Sequence, residues 1–164
     1  MIITDKKIIR KKIDSSKFLI FDFDGVIADS ADIKTTAFAK IYNPYGEKIV
    51  SKVLKHNLGT GGGMSRFDKL PIYLQWVGIE ASPSTVSEYC EQFSQLVMQR
   101  VIDAPWVAGV EHYLRSESNQ QTFILVSATP QYELEQILHV LDLTKCFADV
   151  YGAPTRKQDA IAKT

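Results

Sequence analysis

Phe18-Leu19-Ile20-Phe21-Asp22-Phe23-Asp24-Gly25-Val26 is the stretch whose reading decides the fold. Four consecutive apolar residues run into two aspartates one residue apart, and Gly25 then lets the backbone turn away. The pattern predicts a buried strand over residues 18 to 23 that delivers two carboxylates to its own C-terminal edge, where open α/β sheets bind ligands. In extended backbone Asp22 and Asp24 share a face while Phe23 points into the core. Two converging carboxylates repel by roughly 4 kcal/mol at about 4 Å and an effective dielectric of about 20. A cation, a proton or a hydrogen-bond network must offset that cost. The spacing alone also suits a loop whose acids cap turns or face water, but the apolar run before it and the glycine after it argue for the strand end. An EF-hand calcium loop does not fit, because Val26 stands where a third oxygen ligand belongs and Gly25 comes too early.

The 164 residues suffice for one domain with a core and a modest insertion. With 45% apolar and 23% charged residues the chain has an ordinary globular composition. Its 19 basic and 19 acidic residues cancel, so no global charge draws it to nucleic acid or to an anionic membrane. Lys6, Lys7, Arg10, Lys11 and Lys12 cluster without interleaved aromatics, which reads as a solvated face rather than a nucleic-acid patch. Cys90 and Cys146 lack metal-ligand spacing. With no signal peptide and no apolar run of about 18 residues, a cytoplasmic chain with reduced thiols is expected.

Residues 1 to 17 read as an edge element or irregular arm. Beyond the aspartates, Ser30 can cap a helix in which Ile33, Ala37 and Ile41 recur at helical spacing, broken by Asn43-Pro44-Tyr45-Gly46. A second helix is expected from Lys48 to Leu58, burying Ile49, Val50, Val53 and Leu54. The glycine run at 59 to 63 ends it, and Ser65 is a candidate cap for a third helix that Pro71 should bend or restart. Ser82-Pro83 opens a fourth, with Val86, Tyr89, Cys90, Phe93, Val97 and Val101 along one stripe. Residues 31 to 103 thus read as an all-helical lid inserted after the first strand. After Pro105-Trp106-Val107-Ala108-Gly109 a short helix precedes a second buried strand, Thr122 to Val126, ending at Ser127-Ala128-Thr129-Pro130. There Thr129 reads as the cap of the next helix; the turn and the Ser127 hydroxyl suit an oxyanion, although a helix cap with no ligand is the more common use of such a turn. A third strand, Ala148 to Tyr151, leads to Lys157 at the start of the last helix.

Together the three strand ends resemble those of the haloacid dehalogenase-like (HAD) hydrolase superfamily. The matching residues are Asp22-Phe23-Asp24-Gly25-Val26, Ser127 and Lys157, in the family's order. The helical insertion is similar to the cap of the phosphoglycolate phosphatase and β-phosphoglucomutase branch. Gly62-Gly63-Met64-Ser65-Arg66-Phe67-Asp68-Lys69 and Tyr151-Gly152-Ala153-Pro154-Thr155-Arg156-Lys157 look like a subset of capped bacterial hydrolases. The resemblance implies a Rossmann-like parallel sheet core formed by residues 1–30 and 104–164, with a helical cap over 31–103. It further implies that Asp22 is the nucleophile and Asp24 the acid and base. Ser127, Ala128 and Lys157 would hold phosphate, and Mg²⁺ would bind Asp22 and the Asp24 carbonyl. The family's fourth motif, a further strand ending in Gly-Asp, has no counterpart in the seven residues after Lys157, so a sheet of about three strands is expected.

These expectations converge on a Mg²⁺-dependent phosphatase of a small phosphorylated metabolite, such as a sugar phosphate, acting through an aspartyl-phosphate. Arg66, Gly62 and Gly63 are candidate substrate contacts from the cap, with a solvated loop as the equal alternative. The alternatives are a catalytically impaired relative serving as a binding or regulatory module, or, less compatibly with Ser127 and Lys157, a sugar-nucleotide enzyme using Asp-x-Asp for its metal. Asp24 weighs against a dehalogenase, and phosphatase and phosphomutase are not separable by motif. No nucleic-acid or membrane partner is expected. The unpaired edge of the short sheet makes self-association an expectation.

Overall fold

The computed structural model describes residues 12, 13, 15–116 and 121–163. Strand β1 (Phe18–Phe21) is followed by four helices: α1 (Ala31–Tyr42), α2 (Glu47–Leu58), α3 (Arg66–Trp76) and α4 (Pro83–Ile102). Then come α5 (Val110–Arg115), β2 (Thr122–Pro130), α6 (Gln131–Val140), β3 (Asp149–Ala153) and α7 (Lys157–Lys163). The three strands form one parallel sheet in the order β1-β2-β3, with Phe21 opposite Leu125 and Leu125 opposite Val150. The expected α/β class with a helical insertion is the observed one. Residues 1 to 11, which hold most of the basic cluster and most of the N-terminal arm expected over 1 to 17, lie outside the described residues.

β2 occupies the centre of the sheet, and its run from Phe123 to Ser127 is buried, as the unbroken apolar pattern requires. Leu19, Phe21, Phe123 and Leu125 face one layer, where they meet Leu134, Ile137 and Leu138 of α6. Ile124 and Val126 face the other, against Ala160 of α7 and Tyr151. On that second face of β1, Phe18 is 51% exposed and Ile20 37%.

The insertion folds as the helical spacing predicts. Phe38, Tyr73 and Phe93 lock α1, α3 and α4 together, with ring centroids 5.4 Å apart for Phe38 and Tyr73 and 4.4 Å for Phe38 and Phe93. These rings belong to the same buried cluster as Phe23 and the sheet residues, so cap and core share one continuous interior. Ser65 and Ser82 each accept a hydrogen bond from the backbone N–H three residues on, as N-caps do.

Several local expectations are corrected. β1 ends at Phe21, β2 continues to Pro130, and β3 spans residues 149 to 153. α3 runs through Pro71 without interruption; the buried Leu70, Tyr73 and Leu74 around it offset the one missing backbone bond. Of the four residues expected to be buried by the second helix only Val53 is, because the others lie at its half-exposed margin. Thr129 is not a helix cap. Pro130 pairs with Ala153, which keeps the chain extended past Thr129 and leaves its hydroxyl free for other partners.

Candidate active site

Immediately after β1 the backbone winds into a tight turn around Phe23, whose carbonyl accepts hydrogen bonds from the N–H groups of Val26, Ile27 and Ala28. Phe23 is wholly buried and anchors the turn. Gly25 has φ +74°, a left-handed conformation that favours glycine, and this is what sends the chain back beneath the two aspartates. Asp22 Oδ1 accepts the N–H of Phe23 at 2.8 Å, which fixes its carboxylate at the sheet edge.

Each aspartate faces a lysine. Asp22 Oδ2 accepts a hydrogen bond from Lys157 Nζ at the first residue of α7, so the third strand end does reach the first. Asp24 Oδ2 accepts from Lys34 Nζ of α1 at 2.5 Å, and Asp24 Oδ1 from Ser30 Oγ at 2.7 Å. Ser30 stands at the expected N-cap position, but its hydroxyl is drawn to the carboxylate instead of the helix backbone. Burial alone would raise the Asp24 carboxyl; the charge and hydrogen bond of Lys34, the Ser30 hydroxyl and the charge of Lys157 outweigh it and hold the group below the ordinary carboxylate value.

The end of β2 supplies hydroxyls. Lys34 Nζ also donates to Thr129 Oγ1 at 2.7 Å, and Thr129 Oγ1 lies 3.5 Å from Asp24 Oδ2. Ser127 is fully buried, donates to Thr129 Oγ1 at 3.1 Å and accepts the Thr129 N–H at 3.1 Å. Its hydroxyl is therefore one residue removed from Asp24, joined to it through Thr129. Ala128, Asp22, Asp24, Lys34, Thr129 and Lys157 line a cavity of about 290 Å³.

The cap forms the other wall of that cavity through Asn57, Gly63, Met64, Arg66, Lys69 and Phe93. A neighbouring cavity of about 550 Å³ is lined by Gly62, Gly63, Met64, Ala128 and Lys157 among others, so the glycine run lies beside the site. Arg66 reaches the site wall, but its guanidinium is committed to Glu133 of α6 by two hydrogen bonds of 2.8 and 2.6 Å, with both side chains almost wholly buried. Ser94 and Tyr132 also donate to Glu133. Lys69 Nζ donates to Asn57 Oδ1 at 2.7 Å.

The model of the haloacid dehalogenase-like hydrolase family matches residues 19–159. The chain belongs to that family. Among solved structures this chain is similar to β-phosphoglucomutase from Clostridium difficile, with 23% identity and a TM-score of 0.64 over 84% of this chain and 61% of that one. It is also similar to a predicted phosphatase from Clostridium acetobutylicum, at 18% identity and a TM-score of 0.64 over 90% and 68% of the two chains. A predicted phosphoglycolate phosphatase from Haemophilus somnus gives 12% and 0.58 over 84% and 63%. At these identities the likeness is one of fold. The chain spans about three fifths of the β-phosphoglucomutase chain. No curated protein sequence matches it.

The oxygen donors at the strand end fit Mg²⁺, which binds through one or two carboxylates and completes its shell with water and substrate phosphate. The Asp22 carboxylate and the Asp24 carbonyl are the groups that would hold it. Among the described residues no cluster of three or more acidic, histidine or cysteine side chains adds to them. No helix among those residues is long and apolar enough to cross a membrane.

Sequence reasoning missed Lys34, Lys69 and Glu133. Each left a trace as a charge inside or beside an apolar stripe. Lys34 follows Ser30 by one helical turn; Lys69 sits beside Leu70 and one turn before Tyr73; Glu133 precedes Leu134, Ile137 and Leu138.

Proposed function

We propose that this hydrolase is a Mg²⁺-dependent phosphatase of a small phosphorylated metabolite, acting through an aspartyl-phosphate on Asp22. The observation that carries the reading is the convergence of Asp22, Asp24, Lys34 and Lys157 on one cavity beneath the cap. Bound Mg²⁺ would add positive charge against the phosphoryl oxygens.

A phosphate dianion approaching two carboxylates is repelled, and Lys157 and Lys34 offset that repulsion from within the site. Asp22 Oδ attacks phosphorus while the bond to the leaving oxygen breaks. The leaving oxygen then needs a proton. Asp24, protonated in the substrate complex where the phosphate dianion beside it disfavours a second carboxylate charge, gives that proton to the leaving oxygen and is left ionised. In the second step Asp24 takes a proton from water, whose oxygen attacks phosphorus, releasing inorganic phosphate and restoring the Asp22 carboxylate. The acid and the base are thus one residue used in turn, and the proton it surrenders first is regained second.

Phosphate release from an aryl phosphate tests this. Turnover is expected with Mg²⁺, lost on chelation and lost in Asp22→Asn; activity unchanged by Asp22→Asn sinks the nucleophile assignment. The ion pairs that engage both aspartates, with no third acidic ligand among the described residues, favour a second reading: a module that binds phosphorylated ligands without turnover. Ligand binding with no phosphate released at high Mg²⁺ would select it.

A further inference from the structure

The cavity is lined by more positive charge than its own carboxylates neutralise. Asp22 is paired with Lys157, Asp24 with Lys34, and Arg66 with Glu133. Lys69 also lines the cavity, is only 8% exposed, and has no carboxylate partner among the described residues. What it has is a neutral amide and a ring. Its ammonium donates to Asn57 Oδ1 and stands 5.5 Å from the centre of the Phe38 ring. Asn57 is oriented in turn by donating its Nδ2 to Thr35 Oγ1 at 3.1 Å, and Thr35 by donating to the Ala31 carbonyl at 3.1 Å. These partners aim the lysine without neutralising it.

Such a lysine is costly to bury, since a desolvated charge needs a counter-charge. A methionine would fill the same place in the apolar stripe of α3. A divalent cation and a phosphate dianion cancel each other, so the transferable phosphate with its metal leaves the surplus where it was. The missing anion must come with another part of the ligand.

Resting on the phosphatase reading, we propose that Lys69 is a specificity residue of the cap that pairs with a second anionic group. The substrates are then phosphate monoesters whose leaving portion carries a carboxylate or another phosphate. Asn57 is its positioning residue. A monoester with an uncharged leaving portion leaves Lys69 buried and unpaired, and is disfavoured on that account.

Calorimetric titration of the Asp22→Asn protein in Mg²⁺ tests this without turnover. Phosphoglycerate is compared with glycerol phosphate, and fructose bisphosphate with a fructose monophosphate. In at least one pair the doubly anionic ligand is expected to bind about tenfold tighter or more. The pair in which this occurs tells carboxylate from phosphate. Lys69→Met in the same background should abolish the preference, and Lys69→Arg should keep part of it. Equal affinities within both pairs, no binding of any ligand, or an equal loss for both members of a pair in Lys69→Met would overturn the proposal. Steady-state phosphate release by the wild type separates the two ideas. Preferential binding without release sinks the phosphatase reading and leaves Lys69 in its role; release without preference does the reverse.

Discussion

Lys34 Nζ lies 2.5 Å from Asp24 Oδ2 and 2.7 Å from Thr129 Oγ1, so one side chain of α1 ties the turn after β1 to the end of β2. Asp24 and Lys34 side chains are each only 20% exposed, which makes the pair sensitive to loss of either member. Lys34→Met should destabilise the fold by about 2 kcal/mol, because it strands a mostly buried carboxylate with Ser30 and Thr129 as its remaining donors. Adding Asp24→Asn should recover part of that loss. Urea denaturation of the two single variants and the double variant measures the coupling. Strict additivity would mean that the pair contributes nothing.

The Arg66–Glu133 pair is more deeply buried and joins cap to core. Glu133 is satisfied by Arg66, Ser94 and Tyr132 together. Arg66→Met leaves the carboxylate without its cation, and a cost of about 3 to 5 kcal/mol is expected. Replacing both residues by apolar ones, Arg66→Met with Glu133→Leu, should cost markedly less. Thermal or urea unfolding of the three proteins decides it; a double variant as unstable as the single one would show that packing rather than charge governs the contact.

The contrast between these two pairs and the aspartates shows what a sequence can and cannot reveal. Asp22 and Asp24 are legible because a buried parallel strand is written as an apolar run, and its last residues stand at the binding edge by construction. Lys157 is legible for the same reason at β3. Arg66 and Glu133 stand 67 positions apart, and their pairing depends on how the cap docks on the sheet, which no local pattern encodes. Thr129 was misleading in a different way. A hydroxyl before proline reads as a helix cap, yet pairing of Pro130 with Ala153 keeps the strand extended to Pro130 and gives the hydroxyl to Lys34. The helical insertion, by contrast, needed only periodicity and the caps at Ser65 and Ser82.

Lys69 should make stability depend on pH. Burial first, and then the charge of Lys34, bring it down from 10.5 to about 8, against a smaller upward effect of Asp24. Between those two values the unfolded chain binds more protons than the folded one, so stability rises with pH through that window. Below pH 8 both states carry the proton and the full penalty applies, about 3 kcal/mol at about 1.36 kcal/mol per unit. Lys69→Met should therefore be more stable than the wild type at pH 7, with the gap closing toward pH 10. The phenols of Tyr42 and Tyr73, raised by burial, weaken both proteins above about pH 10 and cancel in the difference. Urea midpoints of the two proteins at intervals from pH 7 to 10 test this, and parallel curves would refute it.

Gly152 packs against the backbone at the junction of β2 and α6, with no room for a side chain. Its N–H donates to Gln131 Oε1 at 2.5 Å, and a Cβ placed on it would come within 2.6 Å of Gln131 Cα, 2.7 Å of the Thr129 carbonyl oxygen and 2.8 Å of Gln131 N. All three obstacles are backbone atoms, so no rotamer change relieves the clash. Gly152→Ala must push β3 away from the junction of β2 and α6, at a cost of about 1 to 3 kcal/mol. The displaced atoms include Thr129, the hydroxyl partner of Lys34, and β3 leads directly into Lys157. Phosphate release by Gly152→Ala should then fall even at temperatures where circular dichroism shows the protein folded. Gly25→Ala is the informative comparison: nothing lies within 4 Å of its Cβ position, and φ +74° is its only obstacle. That substitution should cost about 1 kcal/mol through backbone strain alone. If the two variants lose stability equally, close packing at Gly152 is not what limits it.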